Sequence, residues 1–255
     1  MLKSGTIAAL LLLLASAGGL SLRAQFEMRA QFEMQQMTVI SGTPIVVEAP
    51  FPFVDAARVL PDAFAKRHFN AANAAIPSRL IAWFIPIVSL KDELNEKTGR
   101  YRVLQVQVQK DMEPVRHTPD DIKSMLDDFV RHTPNVPAIT EGDIPALFGI
   151  LNLSQFELQP SRKFLGVTTL GPDSFTLCIA TSIEGKDLSG GRPIEASVVC
   201  VTNILLKGRV IQLTVTGPEL TPAELRNSMR LTREWIGLLR DANSIKTPPE
   251  TRPTP

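Results

Sequence analysis

The eighteen residues CVTNILLKGRVIQLTVTG, Cys200 to Gly217, constrain the fold more than any other stretch. Strand-forming residues run on both sides of Lys207-Gly208, a two-residue loop of the kind that closes a β-hairpin. With that loop, Leu206 faces Arg209, Ile204 faces Ile211, Thr202 faces Leu213 and Cys200 faces Val215. Asn203 and Gln212 share the opposite side with Val201 and Thr214. One side is mainly apolar and the other mainly polar, as in an antiparallel sheet covered on one face by helices.

A second run of strand formers, Ser174 to Ser182, reaches Glu195–Leu206 through the Gly-rich connection EGKDLSGGRP. Setting Cys178 opposite Cys200 pairs Leu177 with Val201, Ile179 with Val199 and Ala180 with Val198, so apolar meets apolar throughout. A connection of that length does not set register, so the alignment is an expectation. It leaves two readings of Cys178 and Cys200 open, a cross-strand disulfide and two buried thiols. Nothing beside them has the spacing of a metal knuckle or a C-x-x-C redox pair.

Two helices are marked by their starts. Thr118-Pro119-Asp120-Asp121 supplies a cap, a proline at N1 and acids in the first turn. Ile122, Met125, Leu126, Phe129 and Val130 then form one apolar stripe. Thr221-Pro222-Ala223-Glu224 reads as a capping box, and Leu225, Met229, Thr232, Trp235, Ile236 and Leu239 trace the face behind it. A weaker helical pattern runs from Asp55 to Asn73, broken by Pro61. Strands are expected at Val39–Val47, at Arg79–Ile87 and in Tyr101–Lys110, where Leu104, Val106 and Val108 alternate with Gln105, Gln107 and Gln109. The fold class that follows is α+β, an antiparallel sheet packed by amphipathic helices.

The chain opens with Lys3 and the apolar run Ile7–Ala17, followed by small residues. That is the pattern of a signal peptide over residues 1–24, with a retained N-terminal anchor as the alternative. Residues 25–38 read as a flexible spacer holding most of RAQFEMRAQFEM, the same hexapeptide twice in succession. Residues 39–242 form a single α+β domain, and the Pro- and Thr-rich residues 243–255 a disordered tail. The formal charge of +1 falls to −1 when Lys3 and Arg23 leave with the leader. No large positive field exists to hold a phosphate backbone, which argues against nucleic acid as a partner. The expected compartment is periplasmic or secreted, and membrane contact follows only if the N-terminal segment is retained.

The residues offer little catalytic grouping. His117 and His132 each sit in an Arg-His-Thr-Pro string that bounds the first helix, and His68 stands apart. No Walker, zinc-protease, nucleophile-elbow or dinucleotide motif occurs. Neither a metal nor an organic cofactor is implied, and catalysis is not the favoured reading. Two surfaces are candidates for binding. One is an apolar groove lined by Trp83, Phe84 and Tyr101. The other is the uncharged face of Gln105, Gln107 and Gln109.

The run LLKGRVIQLTVTG followed by TPAELRNSMRLTREWIGLL resembles the end of the Mog1/PsbP-like α/β sandwich. YRVLQVQVQKDME followed by TPDDIKSMLDDFV is similar to the same fold in layout. The likeness covers residues 79–241 and lies in element order; the Asp55–Asn73 segment and IAWFIPIVSL depart from it. It implies a curved antiparallel sheet sandwiched by helices, in proteins that are typically non-catalytic accessory or assembly factors, and it carries over no functional residue. The function expected is therefore an exported accessory or binding protein of the cell envelope with a protein partner there. The alternatives are a carrier of a small apolar ligand and a hydrolase using acidic residues in a cleft beside Trp83. Period six gives the doubled hexapeptide no continuous apolar stripe as a helix. Deleting one copy is expected to leave the melting temperature unchanged in thermal denaturation; a clear drop would show that it packs on the domain.

Overall fold

In the computed structural model the described residues are 35–60, 70, 73, 77–89, 101–133, 135–153, 156, 160–184 and 194–244. Residues 1–34, with the expected leader and the doubled hexapeptide, lie outside them, as do His68, residues 245–255 and most of the segment between Asp55 and Asn73. The described chain runs β1 Gln35–Ile40, β2 Thr43–Glu48, β3 Phe53–Asp55, α1 Ala56–Val59, β4 Ser78–Pro86, β5 Val103–Gln109 and α2 Pro119–His132. It continues with α3 Ile144–Ile150, β6 Ser161–Thr169, β7 Ser174–Glu184, β8 Ile194–Leu206, β9 Arg209–Thr216 and α4 Pro222–Asn243. Two strands occupy the span expected as one between Val39 and Val47. The reason is Ser41-Gly42, whose positive φ angles of 43° and 78° make a tight hairpin turn.

Seven strands form one sheet in the order β3-β4-β5-β9-β8-β7-β6, each neighbouring pair antiparallel. The chain is α+β. Its inner face carries Leu104, Val106, Cys200, Leu213 and Val215, all 0% exposed. Over them lie the β1–β2 hairpin, through Ile40, Ile45 and Val47, and the apolar stripe of α4. Trp235 of α4 meets Phe84 of β4 edge-on at 6.2 Å between ring centroids. On the outer face α2 sets Ile122 against Val167, Phe175 and Val210, while α1 covers Leu80, Trp83 and Ile85. The sheet is thus flanked on both faces.

The Lys207-Gly208 turn closes β8 on β9 with the pairs expected from the sequence, Leu206 opposite Arg209 through Cys200 opposite Val215. In a two-residue hairpin the closing pair exchanges backbone hydrogen bonds and every second pair follows. The bond from Gly217 N to Val198 O, at 2.7 Å, continues that set. Cys200 therefore spends its backbone groups on β9 and meets β7 as a non-hydrogen-bonded pair, where opposed Cα atoms come closest. Cys178 lies directly opposite, with the Cα atoms 4.2 Å apart and the two sulfurs bonded. Of the two readings left open by the residues, the disulfide is the one realised.

Three arginines tie the layers together. Arg102 donates to both carboxylate oxygens of Glu224 at 2.7 Å, and Ser228 donates to the same carboxylate at 3.2 Å. Glu224 N is capped by Thr221 Oγ1, but its side chain serves Arg102, so only half of the expected capping box forms. The reciprocal box occurs on α2, where Asp121 takes the Glu role: it accepts from Thr118 N at 2.7 Å and Thr118 Oγ1 at 2.9 Å. Arg209, 9% exposed, donates to Thr43 Oγ1 and to the carbonyls of Ser41, Glu113 and Val115. Arg240 joins the end of α4 to Asp173, Ser174 and the Leu170 carbonyl in the β6–β7 turn.

Both cysteines are 0% exposed, so neither is expected to alkylate in native protein without reductant. Reduction of the unfolded chain should lower stability by about 3 kcal/mol for a loop of this length, read from denaturant midpoints. Glu224→Ala leaves Arg102 facing a half-buried gap and should cost on the order of 3 kcal/mol. Gly217→Ala should also destabilise, because its Cβ would sit 2.6 Å from Glu224 Cγ.

Candidate binding face of the sheet

Alternation in β5 sends Leu104, Val106 and Val108 to the inner face and Gln105, Gln107 and Gln109 to the outer one. β9 lies beside β5, so Gln105 stands opposite Thr214 and Gln107 opposite Gln212. β8 continues both rows with Val201 opposite Thr214 and Asn203 opposite Gln212. One row across the sheet is therefore Trp83, Gln105, Thr214, Val201, Leu177. The next is Leu80, Gln107, Gln212, Asn203, Phe175. Neighbours within a row lie about 4.8 Å apart and successive rows about 7 Å apart.

The centre of this face is a strip of Gln105, Gln107, Asn203, Gln212, Thr214 and Thr216, without a charged side chain among them. All are half-buried except Gln107, which is 7% exposed and donates to Gln105 Oε1 at 3.3 Å. The row Gln107–Gln212–Asn203 puts three carboxamides side by side on successive strands. Each carboxamide offers both donors and an acceptor, and each threonine offers one hydroxyl. The strip can meet a neutral polar surface through many weak hydrogen bonds, but its groups neither ionise near neutrality nor act as nucleophiles. Leu80, Trp83 and Ile85 under α1 border it on one side, and Phe175, Leu177 and Leu205 under α2 on the other.

The structure divides the expected binding residues. Trp83 and Phe84, as consecutive strand residues, point to opposite faces. Phe84 is 0% exposed in the inner core and Trp83 is 3% exposed beneath α1. They do not line one groove. Tyr101 packs half-buried against the Trp83 cluster, next to the glutamines rather than across from them. Gln109 is half-buried at the end of β5, opposite Ser78. Asn203 and Gln212 complete the glutamine face. Their shared side was visible in the β8–β9 hairpin, but the placement of β9 against β5 is a long-range fact with no local mark.

A cleft of about 540 Å³ runs between α2 and the edge strand β6, floored by Leu126, Val130, Ile139 and Val167 with Asp127 and Arg131 at its rim. A smaller one of about 260 Å³ lies on the other side of α2, among Ile122, Lys123, Gly171 and Phe175. His117 precedes the Thr118 cap and His132 is the last residue of α2, so the fourteen-residue helix, about 21 Å long, separates them. His117 N donates to Gly208 O, and His132 Nδ1 meets the Asp128 carbonyl. Among the described residues no three His, Cys, Asp or Glu converge on a metal position. Hydrogen bonds from the Thr118 backbone and hydroxyl hold Asp121 below the usual carboxylate range, and the Thr140 hydroxyl and backbone do the same for Asp143. Both carboxylates serve caps.

No family model matches this chain, and no curated protein sequence does. Among solved structures it is similar to the Saccharomyces cerevisiae Ran-binding protein Mog1p at 13% identity and a TM-score of 0.31, over 83% of this chain and 93% of that one. A single-residue mutant of Mog1 matches at 13% identity and a TM-score of 0.30, over 82% and 92% of the two chains. Both are Mog1 proteins, one of the two names in the resemblance noted from the sequence. Likeness at this level transfers no residue and no partner.

Proposed function

We propose that this chain is an exported, non-catalytic accessory or binding protein of the cell envelope, and that the uncharged outer face of the sheet receives its protein partner. One observation carries the reading: Gln105, Gln107, Asn203, Gln212, Thr214 and Thr216 are brought from three strands into one strip, half-buried except for the buried Gln107. Local alternation would be satisfied equally well by Lys and Glu at such positions, which solvate more strongly. Carboxamides and hydroxyls pair with a neutral polar surface at a smaller desolvation cost than charges would incur. The leader and the cross-strand disulfide support export, since such bonds persist in oxidising compartments.

A carrier of small apolar molecules is the second reading, favoured by the cleft between α2 and β6. The two are separated by affinity purification from the native envelope. A Gln105→Lys, Gln212→Lys double variant is expected to lose the co-purified partner at least ~10-fold while melting as wild type does. Retention of the same partner by that variant would overturn the proposed face. Release of a bound apolar molecule from the wild type, detected by native mass spectrometry, would favour the carrier.

A further inference from the structure

The β1–β2 hairpin lies over the inner face as a two-stranded sheet of its own, so it has two outer edges. The Ser41-Gly42 turn pairs Ile40 with Thr43, Thr38 with Ile45 and Gln36 with Val47 as the hydrogen-bonded set. The alternate residues direct their backbone groups outward: Pro44, Val46 and Glu48 on β2, and Met37 and Val39 on β1.

The β2 edge is closed by side chains. Lys207 Nζ donates to Pro44 O at 3.2 Å. Asn243 accepts from Val46 N at 2.9 Å and donates to Val46 O at 2.7 Å, standing in for a strand. Trp235 Nε1 donates to Glu48 O. The edge strand β6 is likewise covered at Val167, which exchanges bonds with Pro137 O and Ile139 N at 2.8 Å. On β1 the treatment is opposite. Among the described residues nothing closes the outward backbone groups of Met37 and Val39, and their side chains are 74% and 59% exposed. The strand Gln35–Ile40 carries no charge, no proline and no bulge, the devices that ordinarily keep a sheet edge from pairing.

We propose that β1 is a self-association edge, and that a second copy of this chain pairs with it antiparallel about a two-fold axis through Thr38. A neutral edge suits a second copy of itself, because an isologous contact sets each residue against its own neighbourhood and any charge would meet its like nearby. The outward groups determine the register. Met37 N–H and C=O face Val39 of the second copy and Val39 faces its Met37, giving two bonded pairs with Thr38 opposite Thr38 at the centre. All four apolar side chains then fall on one side of the joined four-stranded ribbon and bury one another. This inference rests on the hairpin alone and is independent of the sheet-face reading.

The test is sedimentation velocity from micromolar to millimolar concentration on protein expressed from the full-length sequence, as the host leaves it. The wild type is expected to shift from monomer to dimer with concentration. Met37→Lys and Val39→Lys, each at an exposed side chain, should weaken the dimer at least ~10-fold, with circular dichroism melts matching the wild type. The double substitution Met37→Lys with Val39→Glu places opposite charges face to face in both pairs and should restore it. A monomer at every concentration would overturn the proposal. So would a dimer unaffected by either lysine, or a double variant no tighter than the singles, which would refute the register.

Discussion

Two residues with positive φ, Lys207 at 51° and Gly208 at 78°, set the parity of the sheet centre. A loop one residue longer would move every β9 side chain to the other face relative to β8. With the two-residue loop, Ile211, Leu213 and Val215 face inward together with Cys200 and Ile204, all 0% exposed. The same parity makes Cys178–Cys200 a close pair without backbone hydrogen bonds between them, and it gathers Gln212 and Asn203 on the face where β5 places its glutamines. The core, the disulfide and the candidate binding strip are three consequences of one turn.

Parity determines faces but not how the layers sit on them, and here the polar clamps act. Apolar burial is non-directional, so helix α4 could slide along the inner face with little change in buried area. Arg102–Glu224 holds one end of that helix to the start of β5, and Arg240–Asp173 with Asn243–Val46 holds the other to the β6–β7 turn and to β2. Arg209 secures the tip of the β1–β2 hairpin from the opposite end of β9's own turn. Each guanidinium offers several donors in a planar fork, which suits it to bind carbonyls and carboxylates of different elements at once. Gly217 belongs to the same arrangement, since only a residue without Cβ leaves room for the Glu224 carboxylate.

The two proposed contact surfaces differ in physical character. The outer strip is broad, uncharged and rigidly registered by three strands, so it offers many weak polar contacts to another protein. The β1 edge is narrow and offers backbone hydrogen bonds with an apolar pair beside them. Among the described residues each is the part of its sheet left uncovered while comparable features elsewhere are closed: α1 and α2 cover the flanks of the outer face, and Lys207, Asn243 and Trp235 close β2. They face away from one another, so partner binding at the strip and self-association at the edge are compatible.

Much of this was legible in the residues. Alternation located β5, runs of strand-forming residues located β4, β7, β8 and β9, Thr-Pro starts located α2 and α4, and the apolar pairing placed Cys178 against Cys200. Short elements with weak periodicity were not: β3 and β6 passed unmarked, and Ser41-Gly42 was read through as strand. Nor did the residues say that Trp83 and Phe84 would be shared between two cores, although strand alternation contains that answer. Sequence by itself determined the α+β class, the hairpin register and the apolar faces, because those depend on contacts within a turn or between adjacent strands. Only the tertiary structure decided that β9 lies between β5 and β8, that Glu224 turns from its own helix to an arginine 122 residues away, and that, among the described residues, one edge of a hairpin is closed and the other open. Those choices depend on which distant segments meet, and local periodicity carries no record of that.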